Sequence, residues 1–296
     1  NNGGLTWTEV LGGNIKDIEF HPEDPSLIYA CRDRFFRSSD GGDTFEYINE
    51  NLPSSSSTQR IAIGVTPDNP EVVYLLISAD IGGGLLGVYK SADTGVNFEL
   101  RADSPNILSV NDNGTGSTGQ GWYDLAIAVD PNDENHIFCG GINLWESANG
   151  GQTYTLNAKW YLEPGMPENF IHADVHDLLY IGSKFYACTD GGIWRSSDNG
   201  NSFVDRSNGL EISQCYRLGI AQGGDPRVIS GLQDNGTMYL NEGSWTHVQG
   251  ADGMEAFVHP TDNSILYAST QYGGLYKSSN GGSTFAWTGS GIVEDG

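Results

Sequence analysis

Three features of the 296-residue sequence predict an all-β fold, a β-propeller of four-stranded antiparallel blades. A short segment recurs along the whole chain. Its copies stand about one blade apart, and the stretches between them read as short strands without a helical period.

The recurrent segment is Ser38-Ser39-Asp40-Gly41-Gly42-Asp43-Thr44-Phe45, repeated as SADTGVNF from Ser91, SANGGQTY from Ser147, SSDNGNSF from Ser196 and SSNGGSTF from Ser278. Partial copies lie near residues 2–7 and 241–245. The closing aromatics are Trp7, Phe45, Phe98, Tyr154, Phe203, Trp245 and Phe285, with gaps of 38, 53, 56, 49, 42 and 40 residues. Such gaps suit a blade of roughly 40–50 residues.

Each repeat opens with an alternating strand: IKDIEFHP, QRIAIGVTP, YDLAIAVDP, HDLLYIG, YRLGIAQ or MEAFVHP. A Pro/Asp/Asn turn such as Pro22-Glu23-Asp24-Pro25 leads to a second, more apolar strand such as EVVYLLI. A short third strand ends at the serine of the recurrent segment, and the segment turns the chain into a fourth. Asp or Asn at the third position of the segment accepts backbone N–H bonds, and glycine supplies positive φ. Asp40, Asp93, Asn149, Asp198 and Asn280 are therefore read as turn-builders rather than catalytic acids.

Residues 1–296 are expected to form a single propeller domain or a fragment of one. Residues 5–11 read as an orphan outer strand beside six full repeats, which does not close a ring. That mismatch predicts a piece of a longer polypeptide, a seven-bladed or multi-propeller protein or a larger assembly.

The chain carries 38 Asp and Glu against 14 Lys and Arg, a net charge of −24. This argues against nucleic-acid binding, which needs clustered cations. The longest apolar runs are strand-sized, so no membrane insertion is expected and no leader peptide is visible. Much of the acid and of the 41 glycines falls in the recurrent turns.

Aligning the repeats places Asp33, Asp80, Asn143, Asp190, Asp234 and Gln271 at equivalent positions just after the second strand. That face, opposite the recurrent turns, also receives the two longest connections, about residues 104–121 and 159–174, and is the candidate ligand surface. Trp122, Tyr123, Trp160 and Tyr161 flank those connections and offer faces for sugar rings or protein. The repeated acids also suit turn bracing, one per blade.

His172-Ala173-Asp174-Val175-His176 is the densest set of metal-ligand types, and strand alternation would send His172, Asp174 and His176 to one side. A transition metal, or calcium in so acidic a chain, is one reading; hydrogen-bonded channel residues are the other, and no cofactor is required. Cys31, Cys139 and Cys188 fall at similar repeat positions and read as buried thiols, with Cys215 open to pairing with one of them.

The repeated box resembles that of the Asp-box (BNR) β-propellers, which include sialidases, sortilin-type luminal domains and two-propeller xyloglucan-cleaving glycoside hydrolases. GWYDLAIAVDPNDENHIFCGGINLWES, IHADVHDLLY, TDGGIWRSSDNG and GLQDNGT resemble secreted bacterial BNR-repeat proteins labelled glycosyl hydrolases. The resemblance implies an exported or cell-surface propeller with a glycan or protein ligand, in a superfamily that mixes enzymes with binding modules. Asp80-Ile81-Gly82-Gly83 resembles the context of a xyloglucanase catalytic aspartate, with Asp33 one blade earlier as its partner in a paired-carboxylate hydrolysis. Sialidase chemistry fits poorly, because nine arginines are present and two, Arg37 and Arg195, precede boxes.

The expected function is therefore a glycan- or protein-binding module acting through the face opposite the boxes. A polysaccharide-cleaving glycoside hydrolase is the first alternative, and a structural module of a larger surface assembly the second.

Overall fold

The computed structural model describes residue 3 and residues 5–161, 169–210 and 212–290. They form six four-stranded antiparallel sheets in which chain neighbours pair throughout. Two compact units hold them, Asn1–Asn208 with four sheets and Gly209–Gly296 with two.

In the larger unit the first blade contains β1 (Asp17–Phe20), β2 (Ile28–Cys31), β3 (Phe35–Ser38) and β4 (Glu46–Ile48). The second contains β5 (Thr58–Val65), β6 (Val73–Ala79), β7 (Leu85–Ser91) and β8 (Glu99–Ala102). The third contains β9 (Ala126–Asp130), β10 (Asp133–Gly140), β11 (Leu144–Ser147) and β12 (Thr155–Ala158). The fourth contains β13 (Val175–Ile181), β14 (Lys184–Thr189), β15 (Gly192–Ser196) and β16 (Val204–Asp205). In the smaller unit the fifth blade is β17 (Cys215–Ile220), β18 (Val228–Leu232), β19 (Gly236–Asn241) and β20 (Ser244–Gln249). The sixth is β21 (Gly253–Val258), β22 (Leu266–Thr270), β23 (Gly274–Ser278) and β24 (Ala286–Trp287).

The apolar second strands are explained by burial on both faces. In β6, Val73, Leu75 and Ile77 pack with Tyr29, Phe35 and Ile61 towards the first blade. The intervening Tyr74 and Leu76 pack with Ile127, Val129 and Ile137 towards the third. Period-two alternation thus feeds two cores from one strand. A third core joins Phe138 and Leu144 to Leu178 and Phe185, and the smaller unit has its own around Ile229, Tyr239 and Leu266.

The five full copies of the recurrent segment adopt one geometry. In the second blade Ser91 Oγ donates to Asp93 Oδ1 at 2.7 Å and accepts from Gly95 N at 3.0 Å, while Asp93 Oδ1 accepts from Asn97 N at 2.9 Å. The serine is completely buried at Ser91, Ser196 and Ser278. In the first copy the Thr44 hydroxyl, then its amide, hold the Asp40 carboxyl down to about 2. Asn149, Asp198 and Asn280 take the same place as Asp93, each accepting the amide four residues on. The following aromatic reaches the preceding blade: Phe98 meets Phe35 edge-on at 5.1 Å. Ser91→Ala leaves the buried Gly95 N–H without its acceptor and is expected to cost about 1–3 kcal/mol, read as a lower urea midpoint at unchanged m-value.

Two expectations at the partial copies are corrected. Residues 5–11 form no strand, and Trp7 is 89% exposed. The sequence of this partial copy lacks the initial serine that the five full copies share. At Asn241–Trp245 the segment is replaced by a two-residue hairpin, in which Asn241 pairs with Ser244 and Glu242 and Gly243 have φ of 51° and 79°. Two successive positive φ values define a type I′ turn, which matches the twist of a tight hairpin. Trp245 consequently lies within β20 and is half exposed.

The four cysteines are free thiols: Cys31 and Cys139 are buried, Cys188 is half-buried and Cys215 is exposed. Among the described residues no helix is long and apolar enough to cross a membrane.

Candidate functional site

In the larger unit the first strands of successive blades lie side by side. The long β8–β9 connection braces itself through Asn106, whose Oδ1 accepts from Leu85 N at 2.8 Å and whose Nδ2 donates to Gly116 and Thr118 carbonyls. Ile107 and Leu108, each 1% exposed, anchor it to the core. The connection then runs against the β6–β7 turn, where Gly119 N donates to Gly82 O at 2.8 Å and Gly121 N to Gly83 O at 3.0 Å.

This contact explains the glycines after Asp80. Gly83 has φ of 65°, and a Cβ there would sit 2.8 Å from Gly119 O. Asp80 itself is exposed, with its amide donating to Ser57 O at 2.9 Å. Asp33 lies on the β2–β3 turn, where Arg32 at 3.2 Å and Arg34 at 3.9 Å share its carboxylate.

Asn143, expected to face ligand, is instead fully buried. Its Nδ2 donates to Ser109 O at 3.4 Å and Val110 O at 3.3 Å, and its Oδ1 accepts from Trp160 N at 3.3 Å. It ties the two long connections together and is out of reach of a ligand. In the smaller unit Asp234 and Gln271 serve a turn network centred on Asp252. Asp252 Oδ1 accepts from Asp234 N at 2.7 Å, while Asp252 N donates to Gln271 Oε1 at 3.0 Å.

The strand alternation expected for residues 172–176 does not form. β13 begins only at Val175, and Asp174 is left-handed, with φ of 63°. His172 and Asp174 therefore lie in the connection, and only His176 is in the strand. His172 covers Gly191, where a Cβ would fall 2.1 Å from the imidazole. His176 Nε2 pairs with Asp190 Oδ1 at 2.7 Å, and Tyr123 Oη donates to Asp190 Oδ2 at 2.8 Å. The Tyr123 ring also meets His176 edge-on at 4.9 Å. Asp190 thus locks the start of the fourth blade to the long connection.

An open cleft of about 390 Å³ lies beside this network. Trp160 forms one wall with Val110 and Ile142, while Gln120 and Asp174 supply the polar side. Gln120 Nε2 donates to Asp174 Oδ1 at 3.0 Å. Trp160 packs edge-on against Tyr161 at 5.3 Å, and Tyr161 Oη donates to Asp112 Oδ2 at 3.2 Å. Trp122 is 55% exposed and leans on Tyr123.

Asp124, beside Asp174 and Gln120, is 1% exposed. Burial, reinforced by the charge of Asp174, pushes its carboxyl up to about 8. Burial and the charge of Asp190 also raise Asp174. Gln120 and Asp124 lie outside the positions that the repeat alignment singled out.

A second cavity, also about 390 Å³, is lined from all four first-strand regions of this unit and is predominantly polar. It collects Asp17, Glu19 and Asp177 with Lys16, Arg60 and His176. Asp17 Oδ2 accepts from Ile63 N at 2.8 Å, and Arg60 Nη1 donates to Tyr123 O at 2.6 Å. Burial, then the charges of Asp17 and Asp177, lift Glu19 to about 7.

The sheets and their order define a β-propeller of four-stranded antiparallel blades. No family model matches the chain. Among curated proteins it is similar to a xyloglucanase of Hypocrea jecorina (strain QM6a), 25% identical over 248 residues, which are 76% of this chain and 28% of that protein. Among solved structures, the GH74 xyloglucanase from Xanthomonas campestris matches with a TM-score of 0.50 at 20% identity, over 95% of this chain and 46% of its own. The Niastella koreensis GH74 enzyme matches with a TM-score of 0.47 at 20% identity, over 93% of this chain and 45% of its own. The chain therefore spans less than half the length of these relatives.

Proposed function

We propose that the chain is an Asp-box propeller module of an exported, longer protein, and that it binds a neutral polysaccharide in the Trp160 cleft. The observation that carries this reading is the pairing of an aromatic wall with a polar one. Trp160 offers an apolar face to a pyranose ring, while Gln120 and Asp174 stand opposite to accept its hydroxyls. The volume falls in the range of small-ligand sites, roughly 300–1,000 Å³. The similarity to a xyloglucanase supports a β-glucan with such neutral rings as the ligand. Trp122, exposed on the connection that carries Gln120, extends the surface available to a longer chain.

Affinity electrophoresis in gels containing xyloglucan tests the proposal. Wild-type protein is expected to be retarded, and Trp160→Ala to weaken retention at least tenfold, about 1.4 kcal/mol. Retention that is absent, or unchanged in Trp160→Ala, would remove the cleft from consideration.

Hydrolysis is the second reading, favoured by the exposure of Asp80 and by the same xyloglucanase similarity. The two arginines on Asp33 make it a poor partner for substrate, so a second carboxylate would have to come from elsewhere. Release of reducing ends from xyloglucan, abolished in Asp80→Asn, would establish this reading. Retention without release would leave binding alone.

A further inference from the structure

We propose that the outer strand of the fifth blade, β20, is an edge through which two copies of this chain pair strand to strand, antiparallel about a two-fold axis at Thr246. The outer strands of the other blades are short: three residues in β4, four in β8 and in β12, two in β16 and in β24. β20 runs for six, Ser244–Gln249, and its first four residues are exposed, Trp245 at 52%. It contains no Asp, Glu, Lys, Arg or Pro, whereas β4, β8 and β16 each carry a charged residue. Short edges and charges guard against edge pairing, and β20 has neither. Among the described residues, its backbone is hydrogen-bonded to β19 and to no other segment.

The hairpin fixes which groups face outward. Asn241 and Ser244 close the two-residue turn, so they and the Tyr239–Thr246 pair exchange the ladder bonds. Trp245 and His247, which alternate with them, turn their N–H and C=O groups away from β19. A second copy of β20, rotated about Thr246, sets Trp245 of one copy opposite His247 of the other, twice. Each of these pairs exchanges two main-chain hydrogen bonds, and the two Thr246 residues meet in the close, non-hydrogen-bonded position between them. The axis is perpendicular to the sheet, so both tryptophans and both imidazoles share one face as cross-strand aromatic pairs. Charge selects this occupant. In a chain of net charge −24, symmetric pairing of an acidic edge would set like charges opposite one another, and β20 brings none. A charged peptide would find no counter-charge on it. The pairing is isologous, so it closes at two copies.

One strand from each copy buries less than the roughly 1,200 Å² of a standard interface, which places the dissociation constant at about 0.1–1 mM. Sedimentation equilibrium of the full chain, up to about 1 mM, tests the proposal. A monomer–dimer equilibrium is expected, at least threefold tighter in about 0.5 M NaCl than in about 0.05 M, where the acidic copies repel. Thr246→Lys sets two cations face to face, and His247→Pro removes an outward N–H without touching the ladder to β19; each should weaken the dimer at least tenfold. Leu100→Lys, half exposed on β8, should not change it. The register is read in a Cys215→Ser background, since Cys215 is an exposed thiol. There Thr246→Cys is expected to form a disulfide between copies in oxidised glutathione, its Cα separation of about 4.5 Å lying within the disulfide range, and Ser244→Cys is not. A monomer throughout, a dimer unchanged by Thr246→Lys, or one that Thr246→Cys fails to link, overturns the proposal. Circular dichroism checks folding, and should His247→Pro fail to fold, Thr246→Lys decides.

Discussion

Glu19→Gln is expected to stabilise the protein by about 3 kcal/mol above pH 8 and to leave it unchanged near pH 4. The side chain stands on β1 in the polar cavity of the larger unit, facing Asp17 and Asp177. Burial, then those two charges, raise its pKa from 4.5 to about 7. The folded state therefore holds the proton more tightly than the unfolded chain. The resulting stability is fully present below pH 4.5, declines as pH rises through 7 and is gone above it. At about 1.4 kcal/mol for each tenfold gain in proton affinity, the difference amounts to about 3 kcal/mol, and glutamine removes it by staying neutral. Urea unfolding of both proteins between pH 4 and pH 9, in the presence of a chelator, measures the effect. Parallel profiles would show that Glu19 titrates as an ordinary surface acid. Asp17 is raised by the same burial, so some slope is expected to remain in the variant.

Phe138→Ala should be the most damaging single truncation in the larger unit, at about 3–5 kcal/mol. The ring is fully buried on β10 between the third and fourth blades. It meets Phe185 at 4.5 Å and His136 at 4.8 Å. Gly200 of the neighbouring recurrent turn approaches so closely that a Cβ there would lie 2.7 Å from the ring. With a rigid turn on one side and strands on the other, the void left by alanine has little room to collapse. The urea midpoint is expected to drop, whereas Phe257→Ala, 42% exposed on β21, should cost far less.

The blades were legible because their signals are local. The initial serine, the third-position acid or amide and the closing aromatic each act within eight residues, so the turn can be read wherever all three coincide. Where one is missing the reading fails: the first partial copy lacks the serine and residues 5–11 form no strand, and Asn241–Trp245 collapses to a two-residue turn. The candidate site was harder to see, because its key contacts cross between blades. Asp124 sits in an unremarkable Tyr-Asp-Leu stretch, and only the fold places it against Asp174, fifty residues away in the chain. Asn143 aligned with exposed acids in sequence, yet the two long connections that bury it have no counterpart in the other repeats. His172 and His176 were grouped by spacing alone, and the left-handed backbone at Asp174 separates them.

The double-faced second strands bear on how such a chain can change over time. Because β6 gives Val73, Leu75 and Ile77 to one core and Tyr74 and Leu76 to another, the second blade is fitted to two unlike neighbours. A blade copied, deleted or moved to another position would meet partners of the wrong volume on both sides. The repeat is regular in its turns, but its members are not interchangeable parts. Recombination between blades would need compensating substitutions at two interfaces, which sets a barrier to gaining or losing a single repeat.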